Sequence, residues 1–237
     1  MAPVLFAELV AFCAGVLLLT GVLIVWRRDL RAIVRLLAVQ GVALAFLVAV
    51  IGVEARLPEL LAVALLVLVL KGIALPVLLV RVSGPAGPGQ VETPTINTTA
   101  SLISLALLTT LAYLVSQPLK AAGSAPAAAA VPIGISLVLF GFMVLASRRH
   151  AISQLVGFLM LDNGIATVAF LIAGGLPLVV ELGAALDILL VVLVLQVLTG
   201  RIRAEFGDID LDDLSELRDC WPRSSSSRSW PASASRR

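Results

Sequence analysis

The 237 residues are 60% hydrophobic and 14% charged, with a formal net charge of +2 at pH 7 and a mean hydropathy of +1.08, whereas soluble domains keep about a quarter of their residues charged. That composition argues against an ordinary soluble domain, and a charge this small, spread over the loops, gives no basic surface for a nucleic-acid partner. With lipid as solvent the backbone must be satisfied internally, and long runs of Leu, Val, Ala and Ile without period-two alternation predict an all-α polytopic membrane protein rather than a barrel.

In chain order, seven apolar stretches of spanning length are predicted at 4–26, 32–52, 57–80, 96–115, 131–147, 151–173 and 176–198. Met1, Ala2 and Pro3 carry no positive charge ahead of the first stretch, and Arg27 and Arg28 follow it, so it reads as a retained span and not as a signal peptide. Arg27, Arg28 and Arg31 follow span one, Arg81 span three, Arg148 and Arg149 span five, and Arg201 and Arg203 span seven; the other loops carry only Arg56 and Lys120. By the positive-inside rule this alternation predicts the N-terminus outside and the C-terminus in the cytoplasm of a cell-membrane protein. The loop 83–95 is rich in Gly and Pro, and 121–130 is an Ala-rich connector, so both are expected to be flexible joins. Beyond span seven come an acidic segment, 205–219, and a Ser/Arg-rich tail, 223–237, that is expected to be disordered.

No catalytic or cofactor signature is present. The two cysteines, Cys13 and Cys220, are too few for an iron–sulfur cluster, and His150, the only histidine, stands in a loop beside Arg148 and Arg149. No metal-ligand cluster, nucleotide loop or nucleophile–base pair is apparent. Cys13 is expected to be a small buried apolar side chain.

An internal repeat organises the chain. Spans one to three contain Arg27-Arg28, then Gln40-Gly41-Val42-Ala43-Leu44-Ala45-Phe46, then Leu57-Pro58; spans five to seven contain Arg148-Arg149, then Asn163-Gly164-Ile165-Ala166-Thr167-Val168-Ala169-Phe170, then Leu176-Pro177. The predicted organisation is a first three-helix unit, 1–83; a connecting region, 84–130, holding span four; a second three-helix unit, 131–204; and a cytoplasmic segment and tail, 205–237. Both units start outside and end inside, so the repeat is parallel.

Three ionisable residues fall near mid-helix: Lys71 in span three, Asp162 in span six and Asp187 in span seven. A central Lys or Asp costs about 2.5–3.5 kcal/mol on insertion scales, while each central Leu, Ile or Val returns only about 0.3–0.6, so these residues are expected to face the bundle interior. There they can form a polar track for protons or ions, or a structural ion pair between helices. Lys71 stands 13 residues after Pro58 and Asp187 10 residues after Pro177, placing them in the equivalent third helices of the two units. Glu181, about a turn and a half from Asp187 toward the outside, is a candidate next step. Glu8, Arg35, Glu54 and Glu59 lie near span ends and are expected at the interface, and Gly157, Gly164 and Gly183 are expected to permit close helix packing.

The run Arg148-Arg149-His150, Gly157, Asp162-Asn163-Gly164 and Ala169-Phe170, with the helix of Asp187 and the closing Asp208-Ile209-Asp210 and Leu214-Ser215-Glu216-Leu217-Arg218, resembles the three-helix K subunit of respiratory complex I. The seven-helix plan, with Lys71-Gly72 and Leu75-Pro76 in span three, resembles hydrogenase-4 component E, a membrane subunit of formate hydrogenlyase-type complexes; the likeness covers about residues 5–219. It implies a non-catalytic membrane subunit with no cofactor of its own, held among other membrane subunits of a hydrogenase or complex I-like assembly. It also implies intramembrane carboxylates in the last two helices that serve a proton or sodium path. Asp187 is close to the second of these positions; the first falls nearest Leu159, with Asp162 one turn later. Two other classes remain open, a subunit of a multisubunit cation/proton antiporter and a purely structural membrane anchor.

Overall fold

A computed structural model describes residues 3–82, 98–118, 125–148 and 151–173, and position 196. The described residues form helices and turns without a strand, the architecture of an all-α polytopic membrane protein. The seventh predicted span, with Glu181, Gly183 and Asp187, and the acidic segment and tail lie outside the described residues.

Helix α1 runs over Pro3–Trp26 and α2 over Leu30–Ala55. The join between them is three residues long because Asp29 caps α2: its Oδ1 accepts the Arg31 backbone N–H at 3.1 Å, satisfying one of the donors a helix start leaves free. At its other end α2 stops at Arg56, which adopts the left-handed conformation, φ 56° and ψ 34°, more often taken by glycine. The Leu57 N–H then bonds back to the Gly52 carbonyl at 3.1 Å, and Pro58, whose missing N–H costs nothing in a first turn, opens α3, Pro58–Val67.

The third predicted span is not one regular helix. After α3 the chain passes through a π-helical segment, Leu68–Ala74, before α4, Leu75–Val82. The cause is legible downstream. Pro76 has no N–H for the Gly72 carbonyl four residues back, and its ring crowds that carbonyl, so the turns before it widen. The Leu75 N–H accordingly bonds to the Leu70 carbonyl, five residues back instead of four.

Helix α5, Thr98–Val115, is the fourth span. The Ala-rich stretch expected to be a flexible join instead contains a short helix, α6, Ala125–Ala128, which packs against neighbouring helices and buries Ala127, Ala128 and Ala130. Alanine gives up almost no side-chain entropy on becoming helical, so a polyalanine connector folds wherever it finds a wall. Then come α7, Val131–Ser147, opened by Pro132, and α8, Ala151–Ala173.

Four of these helical stretches, Val4–Trp26, Leu30–Ala55, Pro58–Arg81 and Ser153–Ile172, are long and apolar enough to cross a membrane, and Thr99–Val115 and Val131–Ser147 are shorter apolar helices. Two packing features position the rest. Helices α7 and α8 lie almost backbone to backbone, since a Cβ on Gly141 would stand 2.6 Å from the Leu161 nitrogen and one on Gly164 would stand 2.6 Å from the Val138 nitrogen. Close approach at small residues of this kind is how helices associate where lipid removes the hydrophobic drive. Helix α2 is the other organiser: it packs against α1, α3, the π segment, α4 and α8. At one end of the bundle Arg148 donates from Nη2 to the Ile24 carbonyl at 3.3 Å and the Arg27 carbonyl at 3.2 Å, closing the end of α1 against the end of α7.

Candidate functional site

Several of the buried polar groups, Gln40, Lys71 and Asn163 among them, stand on α2 or on elements packed against it. Lys71, at 4% exposure, stands in the π segment. Its Nζ is hydrogen-bonded and ion-paired to Asp162 Oδ2 of α8, a residue 91 positions away in sequence. Two of the three mid-helix charges of the sequence therefore meet. The third, Asp187, lies outside the described residues, as does Glu181.

Asp162 and Asn163 are consecutive on α8 and so project about 100° apart, which lets one helix address two neighbours. Asp162 reaches the π segment, and Asn163 reaches α2, where its Nδ2 donates to Gln40 Oε1 at 3.1 Å. Gln40, with no exposed surface, also donates from Nε2 to the Leu17 carbonyl of α1 at 3.5 Å. That carbonyl accepts the Thr20 hydroxyl at 2.9 Å, and the Asn163 carbonyl accepts the Thr167 hydroxyl at 2.7 Å. The result is a hydrogen-bonded seam across α1, α2 and α8 beside the ion pair. Every member finds a partner, as burial in a low-dielectric interior demands.

Lys71 is buried and Asp162 partly exposed, and removing either partner would leave the other uncompensated in a largely apolar surrounding. Among the described residues no group of three or more His, Cys, Asp or Glu is gathered for a metal.

Glu8, Arg35, Glu54 and Glu59 are exposed, and Cys13 is buried at 1% exposure. Leu159, the position where the K-subunit resemblance leads one to look for a carboxylate, is a buried core residue. Sequence reasoning used Gln40 and Asn163 only as repeat markers and did not foresee that they bond to each other. The available signal was an amide in the middle of each of two apolar helices, followed in both by glycine.

No family model matches the chain, and no solved structure matches it. The chain is 52% identical over 215 residues to the uncharacterized protein Rv0085 of Mycobacterium tuberculosis, a match spanning 90% of this chain and 98% of that protein. The chain belongs to the Rv0085 family. It is also a distant homologue of hydrogenase-4 component E of Escherichia coli K12, 23% identical over 205 residues, with 86% of this chain and 95% of that protein covered. The same identity and coverage hold for hydrogenase-4 component E of Shigella flexneri.

Proposed function

We propose that this chain is a non-catalytic integral membrane subunit of a hydrogenase-4-like or complex I-related oxidoreductase, in which electron transfer in partner subunits drives proton or sodium movement past the charges it contributes. The observation that carries the reading is the contact of buried Lys71 with partly exposed Asp162 between two helical stretches long and apolar enough to cross a membrane, in a chain distantly related to hydrogenase-4 component E over most of its length. Intramembrane ionisable residues are costly and mark ion pathways by default.

In this reading Lys71 and Asp162 form one step, and Asp187, in the repeat's equivalent of the Lys71 helix, forms another with Glu181 beyond it. The second unit, 131–204, is the half similar to the complex I K subunit. The mutual hydrogen bond of Gln40 and Asn163 supports the two-unit organisation, since equivalent residues that touch must lie beside the axis relating the units. Loop charge supports an N-terminus outside and a C-terminus in the cytoplasm.

Purification of the tagged full-length chain from native membranes in mild detergent tests the assignment. A nickel- or iron–sulfur-bearing subunit should co-elute with the chain, together with dye-reducing activity. Elution without such a subunit, from membranes that show sodium/proton exchange dependent on this chain, would replace this reading with the antiporter one.

A further inference from the structure

Lys71 and Asp162 sit on separate elements, the π segment and α8, and the element against which both pack is α2. Two adjacent residues of α2 hold the two sides. Gly41 lies under the π segment: a Cβ there would stand 2.6 Å from the carbonyl carbon and oxygen of Lys71 and 2.9 Å from the Gly72 nitrogen, while ordinary contact begins at 3.4 Å. These are backbone atoms, which cannot swing aside as a side-chain tip can. Gln40, one residue earlier, accepts from Asn163 Nδ2 at 3.1 Å, and Asn163 is the residue directly after Asp162. Gln40 is itself anchored to the Leu17 carbonyl of α1, so the amide is not free to follow α8 if that helix moves.

We propose that the Gln40-Gly41 step of α2 is the positioning element that sets the separation of Lys71 and Asp162, Gly41 by the depth at which it seats the Lys71 backbone and Gln40 by the rotation at which it holds α8. The proposal rests on the reading of that pair as a working charge step, but its geometry stands apart from ion movement. Neither residue carries charge or touches the Lys71 ammonium in this account; both act through the backbone and through Asn163. Enlarging Gly41 pushes the lysine away from α2, and removing the Gln40 amide frees α8 to turn. Either change loosens a contact whose strength depends steeply on separation.

The test is a set of double-mutant cycles on the full-length chain in lipid nanodiscs, read as thermal midpoints. Lys71→Met, Asp162→Asn and the combination are compared in four backgrounds: unsubstituted, Gly41→Ala, Gln40→Leu and Gly52→Ala. Gly52 is the control, because it lies on the same helix and is also closely packed, a methyl added there meeting Leu60 Cβ at 2.9 Å, but it faces α3 and not the pair. The two single shifts should be strongly non-additive in the unsubstituted and Gly52→Ala backgrounds and should become additive in Gly41→Ala and Gln40→Leu. Non-additivity that persists in both of the latter backgrounds overturns the proposal, as does its equal loss in Gly52→Ala. Should Gly41→Ala fail to accumulate, Gln40→Leu decides alone. Shifts already additive in the unsubstituted background overturn it too, since there is then no coupled pair to position. A cycle that behaves as expected, with normal ion movement in vesicles carrying Lys71→Met, retains the positioning role and removes the charge relay.

Discussion

At the scale of single residues, the seam is a case where a small number of hydrogen bonds outweighs their count. Gln40 has no exposed surface and bonds to both Leu17 and Asn163, so Gln40→Leu leaves a buried amide donor stranded, at a cost of about 1–3 kcal/mol. Gln40→Leu combined with Asn163→Leu removes both partners and should be milder than Gln40→Leu alone. Thermal unfolding in nanodiscs checks the order; a double variant less stable than the single would show that the seam does not act as a paired unit. The positions of Lys71 and Asp162 were legible in the sequence because a lone charge in an apolar helix has one affordable place, the bundle interior. Their partnership was not. The two residues are 91 positions apart, and nothing in hydropathy reports which faces of which helices meet.

At the scale of elements, lipid makes helices easy to read, since a run of apolar residues long enough to span has no other way to satisfy its backbone. The predicted spans 131–147 and 151–173 are α7 and α8 to the residue. Departures occur where backbone chemistry, not hydropathy, decides: Pro76 turns part of the third span into a π segment, and alanines too small to signal amphipathicity build α6. Glycine carries meaning that composition hides in the same way. Gly141 has the Leu161 backbone where a methyl would go, whereas Gly15 has nothing within 4 Å. Gly141→Ala should therefore destabilise by about 1–3 kcal/mol through overpacking, while Gly15→Ala should stabilise by up to about 1 kcal/mol through helix propensity. Comparable thermal midpoints for the two variants would contradict the backbone-to-backbone packing of α7 on α8.

For the whole molecule, the all-helical membrane architecture followed from composition, and its orientation is a proposal that rests on loop arginines. A cytoplasm-active reporter fused after residue 219 should give signal and the same reporter within 117–122 should give none; the reverse pattern would invert the assignment of every charge to its side of the membrane. The central claim is that the ion pair of Lys71 and Asp162 carries charge for a partner redox module. Sealed vesicles holding the assembled complex test it with two readouts, electron transfer to an artificial acceptor and coupled ion movement. Lys71→Met and Asp162→Asn should each leave the first nearly intact and sharply reduce the second. Normal ion movement in both variants, with the complex assembled, would contradict the claim and leave the pair as a structural clamp between helices.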